Sequence, residues 1–140
     1  MHREDFPMLN EDIMYFDNGA TSFKPQCVID KITEYYQTYS ANCHRGDYDI
    51  SYRVDTEYEN ARNLLQKFIN AKYREEIVFT SGTTESLNMI ANGFFKPLLE
   101  KGDEILITKS EHASNVLPWF KLANTIGCVM KYIPLDDNYH

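Results

Sequence analysis

Ile77-Val78-Phe79-Thr80-Ser81-Gly82-Thr83-Thr84 is the stretch on which the fold turns. A short run of β-branched and aromatic residues reads as a buried strand, and the polar Ser-Gly-Thr-Thr after it opens a helix that continues to about Leu99. Gly102-Asp103 then marks a turn, and Ile105-Leu106-Ile107-Thr108 repeats the strand signature. Val116, Trp119, Leu122, Ala123 and Ile126 trace the apolar stripe of a further helix. Ser114 or Asn115 is its expected N-cap, Pro118 is tolerated in its first turn, and Gly127 closes it. Cys128 to Ile133 supplies the third apolar run. This β-α-β-α-β order predicts an α/β fold whose parallel strands are joined by right-handed crossover helices.

Upstream of that stretch the pattern is helical. Met14-Tyr15-Phe16 reads as a short extended segment entering a turn at Asp17-Asn18-Gly19, where Asn-Gly tolerates positive φ. Val28, Ile32, Tyr35 and Tyr39 fall on one stripe of a helix over about Cys27 to Tyr39, introduced by Lys24-Pro25. A polar loop from Ser40 to Ser51 follows. Val54, Tyr58, Ala61, Leu65 and Phe68 then line one face of the clearest helix in the chain, which ends near Ala71. The expected organisation is an N-terminal segment over residues 1–53 and an α/β layer over 54–140, without repeats, linkers or low-complexity tracts.

The chain has 140 residues, 43% of them hydrophobic, enough to bury one core. Fourteen basic residues against twenty-one acidic ones leave a formal charge of −7, and no basic stripe runs along any segment, so no nucleic-acid partner is expected. The first ten residues contain neither a signal-peptide apolar region nor a membrane span, which makes the cytoplasm the expected location. Cys27, Cys43 and Cys128 are odd in number and form no CxxC pattern, so neither a disulfide framework nor a metal site is predicted.

In an open parallel sheet, ligands collect at the carboxyl ends of the strands, and two loops leave the predicted strands at that edge. In the first, Ser81-Gly82-Thr83-Thr84, the backbone N–H groups of Thr83 and Thr84 open a helix and can point at an anion with the helix dipole behind them. It has neither the lysine of a P-loop nor the spaced glycines of a dinucleotide fingerprint, so a phosphomonoester fits better than a nucleotide, and a simple helix cap by Ser81 or Thr83 is the competing reading. The second, Lys109-Ser110-Glu111-His112, carries His112. That imidazole is either an ordinary surface or core residue, or a group that stacks on a flat ring and exchanges a proton with substrate. Asn42-Cys43-His44-Arg45-Gly46 lies in the polar loop and reads as a turn with a solvated arginine. A Cys43–His44 thiol dyad is the weaker alternative, because catalytic Cys and His usually meet in space and not as sequence neighbours.

Together, Tyr15-Phe16-Asp17-Asn18-Gly19-Ala20-Thr21 with Lys24-Pro25, Asn42-Cys43-His44-Arg45-Gly46, Phe79-Thr80-Ser81-Gly82-Thr83-Thr84-Glu85-Ser86, and Glu111-His112 with Asn115-Val116-Leu117-Pro118-Trp119 resemble the class V aminotransferase-like cysteine desulfurases. The likeness is to the branch shared with selenocysteine lyases that supplies sulfur for iron–sulfur cluster assembly, and it covers nearly the whole chain in order. It implies a partial type I pyridoxal 5'-phosphate (PLP) transferase fold, with residues 54–140 as the first part of the PLP-binding large domain. It implies that Thr83 and Thr84 hold the PLP phosphate, that His112 stacks on the pyridine ring and assists proton transfer, and that Ala20, His44 and Arg45 lie on the substrate side. L-cysteine as substrate, L-alanine and an enzyme-bound persulfide as products, a sulfur-acceptor or scaffold protein and a homodimer follow from the same resemblance.

PLP chemistry also needs a lysine to carry the cofactor and an acid to keep the ring nitrogen protonated. In the family both lie beyond the position matching His140, as does the persulfide cysteine. Lys109 does not occupy the family's lysine position, and none of Cys27, Cys43 or Cys128 matches the persulfide cysteine. The 140 residues alone are therefore expected to be inactive, with apolar sheet and helix faces left uncovered. Selenocysteine lyase, another class V enzyme, or a non-catalytic binding or assembly module are the alternative readings.

Overall fold

The computed structural model describes residues 2–9 and 12–134; the last part of the second expected domain, 135–140, lies outside them. The chain condenses into two units, Met1–Ile77 and Val78–His140.

In the first unit, Tyr15 stacks on Phe23 with ring centroids 4.1 Å apart. The Tyr15 hydroxyl donates to the Thr21 carbonyl at 2.6 Å, fastening the turn in which the Ala20 and Thr21 N–H groups both reach the Asp17 carbonyl. Neither Asn18 nor Gly19 takes positive φ, in contrast to the sequence expectation, since this turn closes with ordinary negative dihedrals. Helix α1, Gln26–Glu34, starts after Pro25, whose fixed φ of −67° suits a position just before a helix, and it widens into a π-type turn over Tyr35–Tyr39. Helix α2, Asp49–Phe68, begins earlier than the apolar stripe suggested, with Asp49 in its first turn where the helix dipole favours an acid, and it passes through residues 53 and 54 unbroken. Asn70, at φ 56°, ends that region in the left-handed conformation that asparagine tolerates.

Tyr39 and Val54 are buried where the π-type turn packs on α2, and the Arg53 guanidinium lies 4.1 Å from the centre of the Tyr39 ring while pairing with Glu34. Tyr35 and Tyr58 are half-buried, and the other members of both predicted stripes stay open, Phe68 being 85% exposed. Ser51 is completely buried and donates to the Asn42 carbonyl at 3.0 Å, tying the 40–48 loop to the first turn of α2. Gly46 makes that approach possible, since a Cβ there would sit 2.5 Å from the Tyr48 ring and 2.6 Å from the Ser51 side chain.

The second unit is a βαβ arrangement. Strand β1, Glu104–Thr108, pairs in parallel with β2, Val129–Ile133, from Glu104 opposite Val129 to Thr108 opposite Ile133. The crossover contains a 3-10 turn, Ala113–Asn115, and helix α4, Leu117–Ile126, with Pro118 accommodated in its first turn. Gly127 closes α4 at φ 92° and ψ 28°, its N–H donating to the Ala123 carbonyl at 2.7 Å, as the sequence predicts. Leu122, Ala123 and Ile107 are buried, whereas Leu106, one residue along the strand and on the opposite face, is 63% exposed. The predicted helix over Thr83 to Leu99 is α3, Thr83–Met89, continued by a π-type segment, Ile90–Phe95, that brings Phe95 edge-to-face with Trp119 at 5.5 Å. The widening includes Asn92-Gly93, the weakest helix formers in this stretch.

Two further expectations are corrected. Ile77–Thr80 is irregular, because a strand exists only as one side of a hydrogen-bonded ladder, and among the described residues only β1 and β2 form one. The start of α4 is not capped by Ser114 or Asn115. Instead His112 caps the preceding 3-10 turn through its ring, and Val116 occupies the N-cap position of α4 without a side-chain bond. Among the described residues no helix is long and apolar enough to cross a membrane.

With so much of each apolar face uncovered, the chain is expected to self-associate. Sedimentation velocity should show the average mass rising with protein concentration, whereas a monodisperse monomer with a cooperative melt would contradict this. Gly46→Ala is expected to lower stability by about 1–3 kcal/mol in denaturant unfolding, because its Cβ meets the buried Ser51.

Candidate functional site

The start of α3 and the end of β1 supply the polar groups of the second unit. Thr83 and Thr84 are the first two residues of α3, so their N–H groups have no intrahelical partner and project from the positive end of the helix dipole. Glu85 reaches back, accepting from the Ser81 backbone N–H at 2.6 Å and from its hydroxyl at 2.7 Å. The Ser81 hydroxyl and then its N–H hold the Glu85 carboxyl below its ordinary range. Thr80 and Ser86 join through their hydroxyls at 2.8 Å, which closes the loop on the helix. The donors at the first turn are small and neutral, a set that suits a phosphate ester.

Strand β1 ends at Thr108, and the turn after it is braced by a chain of side chains. Glu111 accepts from the Thr108 hydroxyl at 3.0 Å and from the Asn115 amide at 2.9 Å, and Asn115 in turn accepts from the Trp119 indole at 3.0 Å. The spacing Glu111, Asn115, Trp119 puts the three on one side of the turn and helix that follow. His112 sits beside this brace, exposed, with Nδ1 accepting from the Ser114 N–H at 3.2 Å and lying 2.8 Å from the Ser114 hydroxyl. Because Nδ1 is the acceptor, the proton of the neutral ring resides on Nε2. Helix α3 packs against the 3-10 turn that His112 caps, so the helix carrying Thr83 and Thr84 and the imidazole belong to neighbouring elements, although the segment before Ser81 is not the paired strand that the sequence pattern predicts. A cavity of about 530 Å³ lies in this unit between β1, Phe95, Leu99 and Trp119, with Glu111 and Asn115 on its polar side.

Ala20, His44 and Arg45 lie in the first unit. Ala20 is in the turn at Asp17, and Arg45 is exposed. His44 takes the left-handed conformation at φ 57°, and its N–H donates to Asp55 Oδ1 at 2.6 Å. Its ring nitrogens face two carboxylates, Nδ1 at 3.5 Å from Asp55 and Nε2 at 3.6 Å from Glu59. Burial pushes the Cys43 thiol up, reinforced by its hydrogen bond to Asp55 and by the negative charge of Asp55 and Glu59, with Arg62 opposing. The His44 N–H holds Asp55 below the usual carboxylate range against the effect of burial, and the Cys43 thiol adds to it. Sequence reasoning passed over Asp55 and Glu59. Their i, i+4 spacing puts them on one face of α2, a signal that was present, but not that the preceding loop folds back onto that face.

Glu85 gives a pH prediction. A carboxyl whose folded value is depressed contributes stability that is complete above its ordinary value of 4.5 and is lost as pH falls through the lower folded value. Circular dichroism melts of the chain and of Glu85→Ala should therefore differ at neutral pH and converge as the solution is acidified below that range. A difference that persists in acid would contradict the cap.

The model of the aminotransferase class-V family matches residues 14–140. A probable cysteine desulfurase of Synechocystis is 44% identical over 140 residues, covering 96% of this chain and 33% of its own length. One from Ureaplasma parvum is 49% identical over 128 residues, covering 90% of this chain and 31% of its own. Among solved structures, the apo cysteine desulfurase of Thermococcus onnurineus superposes with a TM-score of 0.89 at 44% identity, over 96% of this chain and 33% of that one. The Escherichia coli cysteine desulfurase CsdA gives 0.81 at 36% identity, over 96% and 34%. The chain spans about a third of the length of these relatives. Its helices and parallel strand pair form part of the same α/β architecture, and the chain belongs to the aminotransferase class-V family.

Proposed function

We propose that the protein containing this chain is a PLP-dependent cysteine desulfurase, which takes sulfur from L-cysteine, leaves L-alanine and passes the sulfur as a persulfide to an acceptor for iron–sulfur cluster assembly. The observation that carries the reading is the packing of α3, which begins with Thr83 and Thr84, against the turn capped by His112. The similarity to cysteine desulfurases supports the choice of reaction. When bound, PLP supplies the electron sink for chemistry at the substrate's α and β carbons.

On this reading the Thr83 and Thr84 N–H groups hold the phosphate, residues 54–140 begin the cofactor-binding domain, and the His112 ring stacks on the cofactor with its Nε2 proton available to the substrate. The Glu111–Asn115–Trp119 brace holds the turn that carries that ring, and Ser114 engages the ring itself. Ala20, His44 and Arg45 are assigned to the substrate side. The three cysteines, none in a disulfide, suit a reducing compartment, and on that basis we place the reaction in the cytoplasm. The uncovered apolar faces are surfaces that further chain and a second subunit would bury, which supports a homodimer.

The test is L-alanine and sulfide formation from L-cysteine, with PLP and a reductant, by the whole protein and by its variants. His112→Ala is expected to slow alanine formation by about 100-fold or more, in the range of a lost acid–base group, while PLP stays bound. Thr84→Val, checked for an unchanged circular dichroism spectrum, is expected to weaken PLP binding by about tenfold, the loss of one hydrogen bond to a charged group. Turnover of L-selenocysteine with none of L-cysteine would overturn the desulfurase assignment.

A further inference from the structure

We propose that Cys43, His44 and Asp55 form a binding site for one zinc-class divalent cation, with Glu59 as the carboxylate that orients His44 from the far side of its ring. The inference does not rest on the desulfurase reading. One potential ligand atom from each of Cys43, His44 and Asp55 lies within 4.8 Å of the others. Thiolate, imidazole and carboxylate together are a borderline-soft donor set, which suits Zn²⁺ and not the hard, all-oxygen shells of Ca²⁺ or Mg²⁺.

The surroundings decide which histidine nitrogen would bind. Nδ1 is the nitrogen on the Asp55 side, 3.5 Å from Oδ1, while Nε2 faces Glu59 Oε1 at 3.6 Å. Glu59 is in turn held at its other oxygen by Arg62 Nε at 3.4 Å and Arg74 Nη1 at 3.5 Å, which leaves Oε1 directed at the imidazole. A metal-bound histidine commonly donates its second ring N–H to a carboxylate that fixes the ring and raises its basicity. The Glu59–His44–Asp55 line reproduces that arrangement with Nδ1 as the ligating atom. Binding through the Cys43 sulfur would displace the thiol proton into solution, as a thiolate ligand requires. Three protein ligands leave the fourth tetrahedral position for water or a small solute. Asp55 and Glu59 project from consecutive turns of α2, so half of the assembly is mounted on a rigid element.

Occupancy would engage the ring that the desulfurase reading puts on the substrate side, so the test reads metal binding and not turnover. The full chain, stripped with a chelator and kept reduced by a reagent without thiols, is titrated with Co²⁺ and then with Zn²⁺. The expected result is one Co²⁺ per chain with a thiolate-to-cobalt charge-transfer band in the near ultraviolet, displaced by Zn²⁺. Cys43→Ser should abolish the band, Asp55→Asn should weaken Zn²⁺ binding by about 100-fold, and Glu59→Gln by about tenfold. A second measurement needs no variant: Zn²⁺ should slow alkylation of Cys43, mapped by mass spectrometry, and leave the exposed Cys27 unaffected. Absence of the band, its persistence in Cys43→Ser, or equal Cys43 alkylation with and without Zn²⁺ would overturn the site; unchanged affinity in Glu59→Gln would overturn the role given to that carboxylate.

Discussion

The second unit depends on one ladder, the parallel pairing of Glu104–Thr108 with Val129–Ile133. Parallel strands cannot be joined by a tight turn, so the chain must leave Thr108 at one edge, cross the sheet face in α4 and return to start β2 at the other. That obligation gives Gly127 its left-handed conformation and buries Leu122 and Ala123, with Leu122 2% and Ile107 7% exposed. It also sends the segment after Thr108 out at the carboxyl edge, where His112 can face a ligand. The brace from Thr108 through Glu111 and Asn115 to Trp119 converts the strand end into a rigid mount, and Trp119 meets Phe95 from the helical segment that continues α3. The geometry of the His112 turn is thus tied to the packing beneath it.

The first unit is organised differently, around a loop folded onto a helix. Ser51 is buried without a trace of exposure because the backbone at Gly46 comes close enough to exclude even a methyl group. That approach places His44 over α2, where Asp55 accepts its N–H and stabilises a left-handed residue that is not glycine. Two carboxylates, a thiol and an imidazole then share a small volume. The negative charge of Asp55 and Glu59 is partly offset by Arg62 and Arg74, and it favours either a proton on the thiol or a cation in its place.

Periodicity made most of the helices legible. The stripe from Val54 to Phe68 located α2, and the Val116 to Ile126 pattern with Gly127 located α4, because both are local features of 3.6-residue spacing and turn chemistry. The apolar run Ile77–Thr80 misled for a related reason: β-branched residues state a preference for extended backbone, but pairing needs a neighbour that local pattern cannot supply. The cap before α4 was misassigned because serine and asparagine are the usual caps, while here the imidazole of His112 is already placed to accept the Ser114 N–H.

By itself the sequence determined the order of the helices and of the two strands that pair, the loop that leaves β1 at its carboxyl edge and, through ordered motifs across almost its whole length, the family. These are matters of local propensity and of residue types at set spacings. Only the tertiary structure decided that α3 rests on the His112 turn, that Glu111 braces that turn, and that Asp55 and Glu59 close on Cys43 and His44. Asp55 lies on a helix after an irregular loop, and the path of such a loop is set by packing at Gly46 and Ser51 and not by any periodic signal, so the meeting of thiol, imidazole and carboxylate becomes visible only once the chain is folded.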